Sequence, residues 1–91
     1  MDDKTFTVNI YTPEALFLSD QTVCLSVQST DGSFGLMRGH TPCVIALTEG
    51  KILLKNGKNV RTLNAGAGFL EMQNNVASIF VNVCTEVKQD D

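Results

Sequence analysis

Apolar and polar residues alternate along most of this chain, which is the pattern of half-buried β-strands. The alternation is clear over residues 6–11 and 23–28, and it returns over residues 76–84. No stretch repeats apolar residues with the three- and four-residue spacing of an amphipathic helix. About nine strands, separated by turns every 8–12 residues, therefore predict an all-β fold. A sandwich or a barrel fits this spacing, and two packed antiparallel sheets are favoured.

Turn-forming residues between these strands predict two hairpins. Asn56 and Gly57 lie between two strands and favour a type I′ turn, because that turn needs a positive φ at both central residues. Residues 73–75 join the last two strands in a second hairpin. The last strand is expected to cover residues 76–84, with Val83 on its buried face.

Two shorter segments complete the strand prediction. Residues 15–18 predict a short strand that ends in a turn at Ser19 and Asp20. Residues 43–47 are apolar throughout, which predicts a strand that is buried on both faces or that lies beneath a partner.

Length, charge and cysteine content limit the classes of protein to which the chain can belong. Its 91 residues suffice for a single β-sandwich domain, residues 1–91, with frayed tails at residues 1–4 and 86–91. The net charge is −3 and the basic residues do not cluster, which argues against binding to nucleic acid or to an anionic membrane surface. Three widely spaced cysteines do not indicate a disulfide framework, so we expect a reducing compartment.

The sequence does not predict insertion into a membrane. No apolar run approaches the ~20 residues that span a bilayer. Residues 1–4 lack the basic and apolar regions of a signal peptide. If this protein works at a membrane, another component must hold it there.

The densest group of unusual residues is the segment 31–42, which contains three glycines, a proline and the only histidine. A turn at its start and a break at Gly39 enclose a short strand, in which Gly35 indicates a bulge or a close backbone approach. Because loops on a stiff scaffold commonly carry binding function, this segment is the candidate docking surface. The residues that it should present near one edge are Asp31, Ser33, Arg38 and His40.

Catalytic and metal chemistry have little support in the sequence. His40 and Cys43 lie three residues apart, but on a strand that spacing points two side chains to opposite faces, and no further ligand follows. Cys43 opens an apolar run, where a free cysteine usually behaves as a small hydrophobic residue. Residues 66–68 are not followed by the Lys-Ser/Thr pair of a phosphate loop, so they indicate a close strand approach instead. We therefore expect no catalytic residues, no metal and no cofactor.

Two motifs, taken together, point to a known family. Residues 31–42, Asp-Gly-Ser-Phe-Gly-Leu-Met-Arg-Gly-His-Thr-Pro, resemble the G-E-F/L-G-x-x-P-G-H-A-P segment of the epsilon subunit of F-type ATP synthase. Residues 66–72, Gly-Ala-Gly-Phe-Leu-Glu-Met, resemble that family's S-G-G-F-L-E-V. The likeness extends in order and spacing over most of the chain, and it corresponds to the amino-terminal domain of that subunit.

The resemblance implies a flattened antiparallel sandwich of two sheets, about nine to ten strands in all, without catalytic activity. It also implies a place in the central stalk of the rotor, where the domain docks the gamma subunit onto the ring of c subunits and couples proton-driven rotation to ATP synthesis. A bacterial subunit of this kind is peripheral, on the cytoplasmic face of the inner (plasma) membrane, and reaches the membrane only through the complex. By position, the ring-facing residues are Asp31, Ser33, Arg38 and His40. The neighbours of gamma are Gly39, Thr41 and Pro42.

The chain departs from the family pattern at three positions. Ser33 stands where the family usually has Glu, and Asp31 can supply the acidic group instead, because residues two apart share a strand face. Arg38 replaces a proline and adds a positive charge. Ala67 replaces a glycine, which requires a negative φ there. The helical hairpin that follows in most members has no counterpart in these 91 residues, so we expect a short form or a cut domain without an inhibitory role.

A second interpretation is a β-sandwich interaction module that has kept the fold and binds a different partner. The two interpretations predict different surfaces. A rotor subunit should expose an apolar patch on one sheet, because such a patch marks a permanent interface. A module of the other kind should have a polar face there.

Overall fold

The computed structural model describes residues 4–87 and places ten β-strands in them, with no helix in that range. The predicted all-β class is confirmed. Of the predicted tails, residues 1–4 and 86–91, residues 1–3 and 88–91 lie outside the described residues. The strands are β1 (Phe6–Tyr11), β2 (Leu16–Thr22), β3 (Cys24–Ser29), β4 (Gly32–Met37), β5 (Cys43–Leu47), β6 (Gly50–Asn56), β7 (Asn59–Ala65), β8 (Gly68–Gln73), β9 (Val76–Val81) and β10 (Cys84–Glu86).

These strands form two layers that pack face to face. Layer 1 has the order β4-β3-β6-β7-β10, and layer 2 has the order β5-β8-β9-β1-β2. A single pair, Ser29 with Leu47, joins β3 to β5, so the two layers are one sheet folded over on itself. Neighbouring strands are antiparallel except β1 and β9, which run parallel from Thr7–Val76 to Tyr11–Phe80. The sandwich is therefore confirmed, but its pairing is not antiparallel throughout.

Alternating burial places one face of each layer in a common core. In β1 the buried residues are Phe6, Val8 and Ile10, and in β8 they are Leu70 and Met72. They belong to one continuous cluster of apolar side chains between the layers. Burying a side chain of this size contributes about 1.5–3 kcal/mol relative to leaving it exposed, so this core is the main source of stability.

The second strand is longer than the sequence predicts. Ser19 and Asp20, expected in a turn, are inside β2. Because β2 pairs only with β1 and forms an edge of layer 2, polar side chains fit there, and Ser19 Oγ donates a hydrogen bond to Asn9 Oδ1 at 2.6 Å. The bend lies earlier, beside a register shift between Ile10 and Tyr11.

The type I′ turn occurs in a different hairpin from the one predicted. The β6–β7 loop consists of Gly57 and Lys58, and only Gly57 has a positive φ, +62°, which is the sign pattern of a type II′ turn. Asn74 and Asn75, in the β8–β9 loop, have φ of +52° and +60°. The two asparagines thus form the type I′ turn, because asparagine tolerates the left-handed region.

The end of the chain also differs from the prediction. β9 stops at Val81, and Val83, expected on its buried face, is 61% exposed. The backbone then bends into β10, which pairs with β7. Glu86, expected to begin a frayed tail, is therefore part of the sheet.

The predicted close strand approach at residues 66–68 is confirmed. A Cβ on Gly68 would overlap the carbonyl oxygen of Phe80, and a Cβ on Gly66 would overlap the side chain of Asn82. Ala67 is not among the described residues with a positive φ, as its substitution for glycine requires.

The strands run between two sets of loops, which we name after one residue in each. The Pro13 end contains residues 12–15, 30–31, 48–49, 66–67 and 82–83. The His40 end contains residues 23, 38–42, 57–58 and 74–75. Backbone hydrogen bonds join loops within the Pro13 end, for example from Gly66 N to Val83 O at 3.0 Å.

Candidate interaction surfaces

The four predicted ring-facing residues lie along one edge strand but do not form one patch. Asp31 and Ser33 lie at the Pro13 end of β4, whereas Arg38 and His40 follow its other end. A strand of six residues separates these ends by about 17 Å. All four residues are exposed. The four residues therefore lie near one edge of the sandwich, but at opposite ends of it, because β4 is extended along its whole length.

A buried serine holds the turn at Asp31. Ser29 Oγ donates a hydrogen bond to Gly32 O at 2.9 Å and accepts one from Asp31 N at 3.0 Å. Gly32 has a φ of +115°, a conformation that L side chains rarely adopt. The exposed Asp31 thus stands on a turn with a fixed backbone.

The loop of residues 38–42 crosses from layer 1 to layer 2. It is hydrogen-bonded to the residue just before β1 and to the β8–β9 turn. Arg38 Nη1 donates to Thr5 O at 3.0 Å, and Gly39 N donates to Asn75 Oδ1 at 2.8 Å. Gly39 has a φ of +85°, so the break predicted there is confirmed. Arg38 in place of a proline adds a hydrogen bond that fastens this loop.

His40 and Cys43 approach each other more closely than their spacing predicts. The Cys43 Sγ–His40 Nδ1 distance is 3.8 Å, because His40 lies in a turn and not on the strand. The same Nδ1 lies 2.8 Å from Thr41 O, a carbonyl that can only accept, so Nδ1 carries the proton. That nitrogen therefore cannot act as a base towards the thiol. Cys43 itself packs against the core, as predicted.

Gly35 does not mark a bulge or a close approach. Its pairing with Ser26 is in register with the rest of the β3–β4 ladder, and a Cβ would have no heavy atom within 4 Å. The neighbouring Leu36 is buried, while Phe34 faces the core but remains 40% exposed because β4 has no strand on its outer side.

The two ends of the sandwich carry opposite charges. The loops of the Pro13 end contain Glu14, Asp31 and Glu49 and no basic residue. At the His40 end the loops contain Arg38 and Lys58 and no acidic residue. Among the connecting loops within residues 4–87, acidic residues are thus separated from basic ones along the strand axis, which the sequence order alone does not reveal.

The outer face of layer 2 is apolar and exposed. Cross-strand pairing aligns five residues into one line across β5, β8, β9, β1 and β2, which we call the aromatic row: Ala46, Phe69, Phe80, Tyr11 and Leu16. Tyr11 and Phe69 both stack on Phe80, each with ring centroids 5.0 Å apart. Phe69 is 47% exposed, and Val44, beside the row, is 70% exposed. Stacked rings leave a flat, rigid apolar surface open to water.

Sequence reasoning did not list these residues as a site, although one signal was present. Residues 43–47 contain no polar side chain, and the structure shows that Ile45 and Leu47 enter the core while Cys43 packs against it. Val44 and Ala46 point outward, so β5 is not buried on both faces. The apolar residues on both faces of β5 therefore indicated the exposed patch.

The outer face of layer 1 differs in character. Its central strands carry Ser26, Gln28 and Lys51 there, and β7 adds Thr62 and Asn64. An apolar partner surface would bury these polar groups without hydrogen-bond partners, so layer 2 presents the better docking face.

Other chemistry finds little support in the described residues. A cleft of about 530 Å³ lies beside Arg61, Asp20 and Glu86, but these three charged groups are engaged with one another. Across residues 4–87, no three His, Cys, Asp or Glu side chains group as metal ligands. The same part of the chain contains no helix long and apolar enough to cross a bilayer.

Comparison with known proteins identifies the family. The family model of the ATP synthase delta/epsilon chain β-sandwich domain matches residues 5–87. The ATP synthase epsilon chain of Chlorobium limicola is 36% identical over 76 residues, which cover 82% of this chain and 86% of that one. The epsilon chain of Gloeothece citriformis is 35% identical over 78 residues, which cover 86% of this chain but 56% of that one. The chain thus spans little more than half the length of the second relative.

Solved structures agree on the fold. A chain of the Euglena gracilis mitochondrial ATP synthase, in a structure of OSCP, F1 and c-ring, superposes with a TM-score of 0.85 at 16% identity, over 96% of this chain and 56% of that one. A chain of the Tetrahymena thermophila enzyme, in a structure of the central stalk and c-ring, gives a TM-score of 0.70 at 16% identity, over 87% of this chain and 64% of that one. The matched residues, the sandwich and the relatives together mean that this chain belongs to the ATP synthase delta/epsilon family, in its β-sandwich domain.

Proposed function

We propose that the chain is a non-catalytic rotor component of the central stalk of F-type ATP synthase, which docks the gamma subunit onto the c-ring and couples proton-driven rotation to ATP synthesis. The observation that carries this proposal is the exposed aromatic row on layer 2. A domain that works alone leaves this apolar surface in water, whereas a subunit that stays bound to a partner buries it.

Gamma is the partner that we assign to the aromatic row. Phe69, Phe80 and Tyr11 lie on β8, β9 and β1, the inner strands of layer 2, close to the Pro13 end. Cross-strand pairs hold their backbone, so the rings are fixed by the sheet and not by a mobile loop. Rigid aromatic anchors lose little side-chain entropy on docking, and they are typical of residues that dominate binding energy. A contact that transmits torque needs such a surface.

The ring contact is assigned to the Pro13 end. Its acidic loops, with Glu14, Asp31 and Glu49, suit the basic loops that the resemblance implies for the c subunits. Of the four residues first expected there, Asp31 and Ser33 keep this role. Arg38 and His40 lie about 17 Å away, so we place them with Gly39, Thr41 and Pro42 at the end that faces the body of the enzyme.

The alternative of an interaction module with another partner is less well supported. It predicts a polar outer face on layer 2, and the aromatic row is the opposite. On the proposed function, the chain is peripheral to the membrane, on the cytoplasmic face in a bacterium, and is held there by its partners.

The proposal can be tested by affinity purification of the tagged chain from detergent-treated membranes of its own cells, followed by mass spectrometry. We expect the alpha, beta, gamma and c subunits to be recovered with it. The double substitution Phe69→Ser/Phe80→Ser should abolish recovery of all of them. Val60→Ser, which alters a side chain of similar exposure on layer 1, is the matched control. Recovery of a different partner with the unaltered chain would contradict the proposal.

The ring contact needs its own test. Asp31→Lys should reduce recovery of the c subunit while gamma remains bound, because it places a cation against basic loops. Ser33→Lys should act in the same direction. Lys58→Glu, at the opposite end, is the control and should leave the c subunit bound. Full recovery of the c subunit with Asp31→Lys would remove the ring contact from the Pro13 end.

A further inference from the structure

Glu71 is the one charged residue on the outer face of layer 2. It lies in the middle of β8, is exposed, and pairs across the sheet with Val44 on β5 and Ser78 on β9. The other outward-pointing residues of the five strands of layer 2 are apolar or neutral within the described part of the chain. Glu71 therefore places a negative charge immediately beside the aromatic row.

No group within residues 4–87 neutralises that charge. Among residues 4–87, neither ion pair joins Glu71, and no hydrogen bond to its carboxylate is observed. Its neighbours on the same strand and face are Phe69 and Gln73. The lysines of β6 lie on the other layer. In the free chain, water solvates this carboxylate.

Docking on the aromatic row would remove that water. Glu71 is two residues from Phe69, so the two side chains share a face about 7 Å apart along the strand. A partner that covers Phe69 and Val44 also covers the carboxylate of Glu71, which pairs with Val44 across the sheet and shares a face with Phe69. An ionised carboxylate that loses its water without a compensating partner opposes binding strongly.

We propose, building on the assignment of gamma to the aromatic row, that the docking surface of the partner carries an arginine or lysine that pairs with Glu71. The apolar contacts alone do not fix how the partner is rotated on the flat row. A single charge pair does, because every other orientation leaves two charges unpaired. Glu71 thus sets the register of docking, and Phe69 and Phe80 provide the buried area.

The test measures binding of the purified chain to gamma from the same organism, at about 50 and 300 mM salt, where screening of charges differs strongly. Glu71→Gln keeps the shape of the side chain and removes its charge. We expect it to weaken binding by about 10-fold or more at low salt, and to flatten the salt dependence. Lys51→Gln, which removes a charge from the outer face of layer 1, is the control and should change neither quantity.

The outcomes separate this proposal from the one on which it rests. If Glu71→Gln binds as tightly as the unaltered chain, or more tightly, while Phe69→Ser abolishes binding, gamma docks on the row but offers no cation. If the unaltered chain does not bind gamma, or Phe69→Ser binds normally, the assignment of the row to gamma fails first.

A charge exchange locates the partner residue. Glu71→Lys should bind more weakly than Glu71→Gln, and one arginine or lysine of gamma, when changed to glutamate, should restore its binding. Failure of every such change on gamma to restore binding would overturn the pairing.

Discussion

Arg61 Nη1 donates a hydrogen bond to Asp20 Oδ2 at 2.7 Å, and the two residues belong to different layers. Asp20 lies on β2, at the free edge of layer 2, and Arg61 lies on β7 in layer 1. The other nitrogens of Arg61 bind Glu86 on β10, with Nε–Oε2 at 2.5 Å and Nη2–Oε1 at 3.0 Å. One guanidinium therefore joins three strands at the side of the sandwich opposite the β3–β5 connection.

The first prediction concerns how much this ion pair stabilises the fold. Arg61 and Asp20 are 42% and 39% exposed, so solvent screens the interaction. Asp20→Asn should lower the free energy of unfolding by no more than about 1 kcal/mol. For a domain of this size that corresponds to a fall in melting temperature of about 4–8 °C or less. Thermal denaturation followed by circular dichroism measures it, and a fall several times larger would mean that Asp20 has a further role.

The second prediction is a pH dependence. Hydrogen bonding from Arg61 lowers the pKa of Glu86 below its ordinary value near 4.5, so the folded state binds that proton less tightly than the unfolded chain does. The stability from Glu86 is thus complete above the ordinary pKa, and it is lost as pH falls through the lower pKa of the folded state. The difference in melting temperature between the unaltered chain and Glu86→Gln should shrink as the pH falls from about 6 to about 3, a range that brackets the ordinary pKa of a glutamate.

Arg61→Met provides the control for this pH effect. Without the guanidinium, the largest cause of the lowered pKa is gone. In that background, Glu86→Gln should change the melting temperature by the same small amount at every pH. A difference that still shrinks with falling pH would assign the effect to another group.

The third prediction compares two glycines. Gly68→Ala should destabilise the domain by about 1–3 kcal/mol, because the new Cβ overlaps the Phe80 carbonyl and must push β8 from β9. Gly35→Ala meets open space and has no positive φ, so it should be neutral or should stabilise by about 0.4–1 kcal/mol. Urea unfolding of both variants distinguishes them. Equal losses would mean that Gly35 is also constrained.

The fourth prediction separates the two asparagines of the type I′ turn. Gly accepts both positive φ values, so Asn74→Gly and Asn75→Gly should each leave the hairpin intact. Only Asn75→Gly removes the acceptor of the Gly39 N–H bond. Amide hydrogen exchange at Gly39 should therefore accelerate in that variant and stay slow in Asn74→Gly. Unchanged exchange in both would show that other contacts hold the loop.

The fifth prediction concerns the three thiols, which are all free in the structure. Burial raises the pKa of Cys84, and it is 8% exposed, so little thiolate is present and reagents reach it slowly. A maleimide at neutral pH should label Cys24 and Cys43 first and Cys84 only on unfolding. Mass spectrometry of a labelling time course follows this order, and early labelling of Cys84 would mean that β10 opens locally.

The sequence predicts the strands of this fold better than its connections. Alternation fixes which face of β1 or β9 is buried, because side chains in a strand point to opposite sides in turn. The error at Ser19 and Asp20 arose because polar residues usually mark turns, yet an edge strand exposes them without cost. The parallel pairing of β1 with β9 depends on contacts between distant parts of the chain, which local pattern does not encode.

For the candidate sites too, the sequence predicts local features better than the arrangement of distant residues. The motif at residues 31–42 correctly identified the turn glycines, but the spatial separation of Asp31 from His40 follows from the length of β4. The aromatic row consists of one residue from each of five strands, so no single stretch of sequence contains it. Only the register of those strands brings Phe69, Phe80 and Tyr11 together.

The pairing of Thr7 with Val76 has a consequence for how the domain forms. Seven strands, β2 to β8, are synthesised between β1 and one of its two neighbours, β9. Closing so long a loop is entropically costly and slows folding, and layer 2 cannot assemble until β9 has been released from the ribosome. During synthesis β1, which carries the core residues Phe6 and Ile10, therefore lacks one of its two neighbouring strands. This long-range pairing favours folding of layer 2 in one cooperative step, after β9 has been made.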